Sequence, residues 1–72
     1  MVLTKAQRGD RHKIASIQAN ASVSGKLAAL GLIPGSEIDI LQCSLHGAAI
    51  VSCKGAQFAL GRGLADLIYL EN

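Results

Sequence analysis

The sequence predicts a mainly β domain: a small barrel of about five short strands, with one short α-helix inserted after the first strand. Three observations predict it. Short runs of alternating apolar and polar residues recur along the chain, separated by turns that carry glycine. One segment, Leu27-Ala28-Ala29-Leu30-Gly31-Leu32-Ile33-Pro34-Gly35-Ser36, instead carries helical spacing and its own stop signal. The chain has 72 residues, 50% of them apolar, which suits one domain, and closing short strands into a barrel removes exposed sheet edges.

The helix-and-stop segment is the most specific. Val23, Leu27 and Leu30 share a helical face at i, i+4, i+7 spacing. Gly31 stands where a left-handed residue ends a helix, because glycine enters that conformation without a Cβ clash. Leu32 and Leu27 are then placed for the apolar contact that accompanies a Schellman stop. Pro34-Gly35 suits the two central positions of a type II turn, Pro presetting φ and Gly supplying a positive φ. The turn launches Ser36-Glu37-Ile38-Asp39-Ile40, which alternates as a half-buried strand.

The remaining elements follow in order. Met1 to Gly9 is a partly flexible lead-in, with Leu3 as its anchor. Asp10 to Gln18 reads as the first strand. Ile14 and Ile17 do not share strand parity, which predicts a bend or bulge between them. Ala19 to Ser22 is a loop, and Ser22 or Ser24 is the expected cap of a helix running to about Leu30. Gly25 weakens that helix by about 1 kcal/mol relative to Ala, so packing must hold it. Ser36 to Cys43 is the second strand, with Ile38 and Ile40 on one face. Ser44 to Gly47 is a hairpin connection and Ala48 to Cys53 the third strand. Lys54-Gly55 is a tight turn into the fourth strand, Ala56 to Leu60, with Phe58 and Leu60 on one face. Gly61-Arg62-Gly63 breaks that strand, Leu64 to Leu67 forms one helical turn, and Ile68 to Leu70 is the fifth strand. The chain is read as a single domain over residues 1–72.

Composition excludes several function classes. Phe58 and Tyr69 are the only aromatic residues, too few for a platform that stacks single-stranded nucleic acid. The net charge is +2, too small to predict a polyanion partner. Lys5, Arg8, Arg11 and Lys13 are four of the seven basic residues and cluster near the N-terminus, where a solvated arm is the simplest reading. No apolar run approaches the eighteen or so residues of a membrane span. Met1-Val2-Leu3 is followed by polar residues and makes no signal-peptide core. A cytoplasmic location is expected.

No catalytic constellation is visible. There are five acidic residues, no paired carboxylates, no Ser/His/Asp set and no nucleophile elbow. Cys43 and Cys53 flank a hairpin turning near Leu45-His46. Cys43 then lies opposite a residue near Ala48, with Cys53 roughly 16 Å further along at ~3.3 Å per residue. A disulfide needs Cα atoms within about 7 Å, so two free thiols are expected. Cys43-x-x-His46 is half a zinc-ligand pattern, but His12 is distant in sequence and Cys53 is misplaced, so no metal site and no cofactor are predicted. Gly61-Arg62-Gly63 lacks the length and the Lys-Ser/Thr of a phosphate loop.

The stretch Leu27 to Gly35, followed by the alternating strand Glu37 to Leu41, resembles the FeoA family of ferrous-iron transport accessory proteins. Gly9 before the strand ending Ile14-Ala15-Ser16-Ile17 is similar too, as is Phe58-Ala59-Leu60-Gly61-Arg62-Gly63-Leu64-Ala65. The resemblance covers nearly the whole chain. It implies an SH3-like barrel and a small cytosolic protein that assists FeoB, a membrane ferrous-iron transporter with a cytosolic GTP-binding domain. Two departures stand out. The hairpin reads Leu45-His46-Gly47-Ala48 where relatives often have Leu-Gly-Asp-Pro, and the helix carries only Lys26 where relatives often have several basic residues.

The expected function is therefore regulation of iron uptake by protein–protein contact with FeoB. The partner-binding residues expected are Lys26, Leu45, His46 and Arg62, on the helix, hairpin and loop rims. Leu45 is the sharpest of these, since an apolar hairpin tip must pack or bind. Neither nucleic acid nor membrane insertion is expected; weak self-association is compatible with so apolar a barrel, and the sequence does not set the oligomeric state. The alternative is a stand-alone module related to the SH3-like C-terminal domain of metal-dependent repressors. Such modules follow a helix-turn-helix region, for which the nine residues ahead of the first strand leave no room.

Overall fold

A computed structural model describes residues 1–44 and 47–71. Along the chain it contains a 3₁₀ turn (Leu3–Lys5), β1 (Arg11–Ile17), α1 (Ala21–Ala29), β2 (Glu37–Cys43), β3 (Ala49–Cys53), β4 (Ala56–Leu60), α2 (Arg62–Ala65) and β5 (Ile68–Leu70). The strands form one five-stranded sheet in the order β4-β3-β2-β1-β5, all ladders antiparallel. β1 to β4 run as a meander, interrupted by α1, and β5 returns to the free side of β1.

Alternation builds the core. Ile38 and Ile40 of β2 and Ala49, Val51 and Cys53 of β3 turn to one side and are buried. Leu3, Ile14, Leu27, Leu32, Ala65, Ile68 and Leu70 join them in a single cluster. Leu3 anchors the lead-in with no exposed surface. The parity conflict in β1 is resolved by a register shift between Ile14 and Ser16 against β5. A second shift, between Ile40 and Gln42 of β2 against β3, has no counterpart in the apolar pattern.

α1 has nine residues, too few to persist alone, and is held at both ends. The expected serine cap is not the one used. Asn20 stands at the N-cap, and its side-chain oxygen accepts from the Val23 N–H at 2.9 Å. Ser22 lies inside the first turn, and the Ser24 hydroxyl donates to the Ala19 carbonyl at 3.4 Å. At the other end the Schellman stop is complete: the Leu32 N–H donates to the Leu27 carbonyl and the Gly31 N–H to the Ala28 carbonyl, each at 2.9 Å. Gly31 has φ +88°, and Leu27 and Leu32 are both buried. Gly35 has φ +92°, and the Ser36 N–H donates to the Ile33 carbonyl at 3.0 Å, closing the type II turn.

Closure differs from expectation. β4 and β5 stand at opposite ends of the sheet order, and no ladder joins them among the described residues. Both helices pack onto the core: Leu27 of α1 and Ala65 of α2 are buried in it, with Val23 and Leu64 packed against it. The outer edge of β5 is covered by the chain's own N-terminus. Val2 bridges Tyr69, the Leu70 N–H donates to the Met1 carbonyl at 2.6 Å, and the Met1 amino group donates to the Leu70 carbonyl at 2.9 Å.

Candidate functional site

Two surface concavities differ in their chemistry. The polar one, about 640 Å³, lies over β1, β2 and the two turns and includes Arg11, Glu37, Asp39 and Lys54. Its charges answer each other. The Arg11 Nε donates to Asp39 Oδ1 at 2.7 Å, with the side chains 68% and 44% exposed. That hydrogen bond, with the carboxylates of Asp39 and Glu37 nearby, pushes the guanidinium pKa further up. An exposed pair of this kind adds little stability, and it brings no nucleophile beside a base.

The apolar concavity, about 520 Å³, lies between α1, β4 and α2. Val23, Leu27 and Leu30 line one wall, Phe58 and Leu60 the floor, and Leu64 the other wall. Leu27 and Leu60 are buried members of the core. Val23, Phe58 and Leu64 are half-buried, and Leu30 is 47% exposed. The shared helical face read from the sequence therefore grades from core to solvent. Leu27 and Leu32 point inward to make the helix stop, so Leu30, the C-cap between them with φ −90°, is carried out to the groove rim.

Lys26 lines this groove from α1. Arg62 is the exposed first residue of α2, the element whose Leu64 forms the far wall. Leu45 and His46 lie outside the described residues. Leu30, Phe58 and Leu64 are not marked as contact residues by the sequence. Only the placement of Leu30 directly ahead of a helix-stopping glycine hints at an exposed position.

The remaining reactive groups are occupied structurally. The ladder sets Cys43 opposite Ala49 and Cys53 opposite Ala56, and both thiols are free. The Cys43 thiol donates toward the Leu3 and Thr4 carbonyls at 3.7 and 3.6 Å. Among the described residues, no three His, Cys, Asp or Glu side chains converge as metal ligands. The Asp10 carboxylate accepts from the Gln7 N–H at 3.0 Å and lies 3.3 Å from His12 Nε2. The first contact and then the second hold its pKa below the ordinary carboxylate value. None of the described helices is long and apolar enough to cross a membrane.

The FeoA domain model matches residues 1–72. This chain belongs to the FeoA family. It is 31% identical over 70 residues to a protein of Methanocaldococcus jannaschii named Fe(2+) transport protein A, a match spanning 97% of this chain and 84% of that one. A crystal structure of an iron uptake regulatory protein, FeoA, superposes with TM-score 0.91 at 31% identity, covering 99% of this chain and 95% of that one. More distant likenesses define the fold. A Stenotrophomonas maltophilia FeoA complexed with zinc and described as an SH3 domain protein matches with TM-score 0.84 at 21% identity, covering 99% of this chain and 89% of that one. A manganese-dependent transcriptional repressor matches with TM-score 0.86 at 24% identity over 97% of this chain and 40% of its own length. The five-stranded roll is thus an SH3-like member of the FeoA family, a group of ferrous-iron transport accessories.

Proposed function

We propose that this FeoA protein regulates ferrous-iron uptake in the cytoplasm by docking on the cytosolic region of the FeoB membrane transporter. It acts by contact and not by catalysis. The observation that carries this reading is the groove between α1, β4 and α2. It is apolar, formed by residues that also build the core, and open to solvent at Leu30. Apolar surface of this kind on a small domain marks an interaction site. Lys26 on its rim and Arg62 at the start of α2 favour an acidic border on the partner, and Leu45 and His46 are the second contact proposed.

The test is a calorimetric titration of the full chain with the purified cytosolic region of the FeoB from the same organism. Binding is expected, with roughly tenfold loss on Lys26→Glu. Absence of binding by the parent chain would refute the reading. Unchanged affinity of Lys26→Glu would remove Lys26 from the contact. A second reading, a regulatory module of the repressor type, is favoured by the fold likeness to the manganese-dependent repressor. It predicts that the chain is captured by a DNA-binding partner and that iron uptake is unaffected by its deletion.

A further inference from the structure

We infer that β4 is a strand-addition edge. A short extended segment of the partner, apolar with an acidic residue, pairs its main chain with Gln57 and Ala59 and turns its apolar side chains into the groove. The inference rests on the docking reading above and specifies how the contact is made.

The hydrogen-bond pattern of the hairpin sets the edge. β3 and β4 are joined by Lys54-Gly55, with φ +52° and +85°, the two-residue turn whose twist matches a hairpin. The pair closing such a turn, Cys53 with Ala56, exchanges hydrogen bonds, and bonded and unbonded pairs alternate from there. Val51 with Phe58 and Ala49 with Leu60 are then bonded pairs, while Gln57 and Ala59 lie opposite Ser52 and Ile50 at unbonded positions. Their N–H and C=O groups point away from β3. β4 ends the sheet, and no main-chain hydrogen bond outside the ladders reaches Gln57 or Ala59 among the described residues.

The two edges of the sheet are treated differently. The outer side of β5 is already covered by Met1 and Val2, in effect a strand addition made by the chain to itself. Among the described residues no main chain pairs with the outer side of β4 in this way, and the strand carries no protective residue of its own. Its sequence, Ala-Gln-Phe-Ala-Leu, contains no charge and no proline. Free main-chain groups require an extended partner, because a helix has already used its own. The groove continues the core-facing side of β4 past Phe58 and Leu60, where alternate side chains of an added strand would fall. Among the described residues Lys26 is the one charged side chain lining it, which selects an acidic residue on the incoming segment. With α1 and α2 flanking the slot, a single extended segment fits more readily than a second copy, whose β4 would bring its own helices.

The decisive measurement is amide hydrogen exchange on the full chain, alone and saturated with the FeoB cytosolic region. Gln57 and Ala59 exchange rapidly in the free chain, despite lying in a strand, and become protected in the complex. Gln57→Pro removes an outward N–H and leaves the β3 ladder intact. It weakens binding roughly tenfold at unchanged fold, whereas Gln57→Thr binds as the parent does. Binding without protection of these two amides would overturn strand addition and leave the docking reading standing. That outcome is read on the parent chain, so a poorly folded Gln57→Pro variant does not rescue the idea. Protection that appears on concentrating the chain alone would give the edge to a second copy and overturn the assignment to the partner. Failure of the parent chain to bind would defeat the docking reading, and the inference with it.

Discussion

Ser36 donates its hydroxyl to the carbonyl of Gly31 across 2.9 Å, tying the residue after the turn to the residue that stops the helix. Ser36 is 7% exposed, the buried polar residue of the core among the described residues. Its N–H donates to Ile33 and its carbonyl accepts from Ile14, so one residue connects the helix stop, the turn and β1. Ser36→Ala leaves the Gly31 carbonyl with only a long contact to the Cys53 thiol, at 3.9 Å. The expected cost is about 1–2 kcal/mol, read as a lower urea midpoint at unchanged slope. A midpoint equal to the parent's would show that water replaces the hydroxyl.

The two glycines on α1 and at its end should respond in opposite directions. A Cβ on Gly31 would meet only the Lys54 side chain, at 3.9 Å, so space is not the obstacle. The obstacle is φ +88°, which costs an L-residue roughly 1–2 kcal/mol. Gly31→Ala should destabilise by that amount, and Gly31→Asn by less, because asparagine visits this region more readily. Gly25 sits within the helix with open space around its missing Cβ. Gly25→Ala should stabilise by about 1 kcal/mol. Thermal melts of the three variants decide the matter, and a destabilising Gly25→Ala would mean that the backbone at this position serves a contact.

These positions also show what is legible in the sequence. Gly31, Pro34 and Gly35 each have one economical backbone role, so residue type alone reveals the helix stop and the turn. The bulge in β1 is legible because Ile14 and Ile17 cannot face one side of an unbroken strand. The cap is not, because Ser22, Ser24 and Asn20 all suit an N-cap, and only the actual start of the helix chooses among them. Closure is not legible either: strand patterns reveal alternation but not which edge a terminal residue or a helix will cover. The groove is hardest to see. Its walls come from three elements whose side chains serve the core as well, so composition cannot separate the two roles.

Asp10 gives the fold a defined response to acid. The Gln7 N–H and the His12 ring hold its carboxyl below the ordinary pKa, near 3.9 in an unfolded chain. The folded state therefore releases this proton more readily than the unfolded state does. The resulting stabilisation is fully present above about pH 4 and is lost as pH falls through the lower, folded value. Asp10→Asn should flatten the fall in melting temperature below pH 4 relative to the parent, with the two curves separated above it. Parallel curves from pH 6 to pH 2 would show that the two contacts do not favour the ionised form.

Leu30 separates docking from folding more cleanly than the buried leucines of the groove do. Leu27→Ala or Leu60→Ala would open the core, since both side chains are almost fully buried, at a cost of about 2–5 kcal/mol. Any loss of binding would then be ambiguous. Leu30 is 47% exposed and stands at the end of α1, where Leu30→Gln keeps the length of the side chain and should change stability by no more than about 0.5 kcal/mol. If the groove is the contact, this variant should bind the FeoB cytosolic region roughly tenfold more weakly. Its heat-capacity change on binding should also be less negative, because less apolar surface is removed from water. The heat capacity is the more informative reading. A change in affinity alone could arise at a distance, whereas a change in both places Leu30 at the buried surface. Parent-like values for both would move the contact away from α1, toward the hairpin that carries Leu45 and His46.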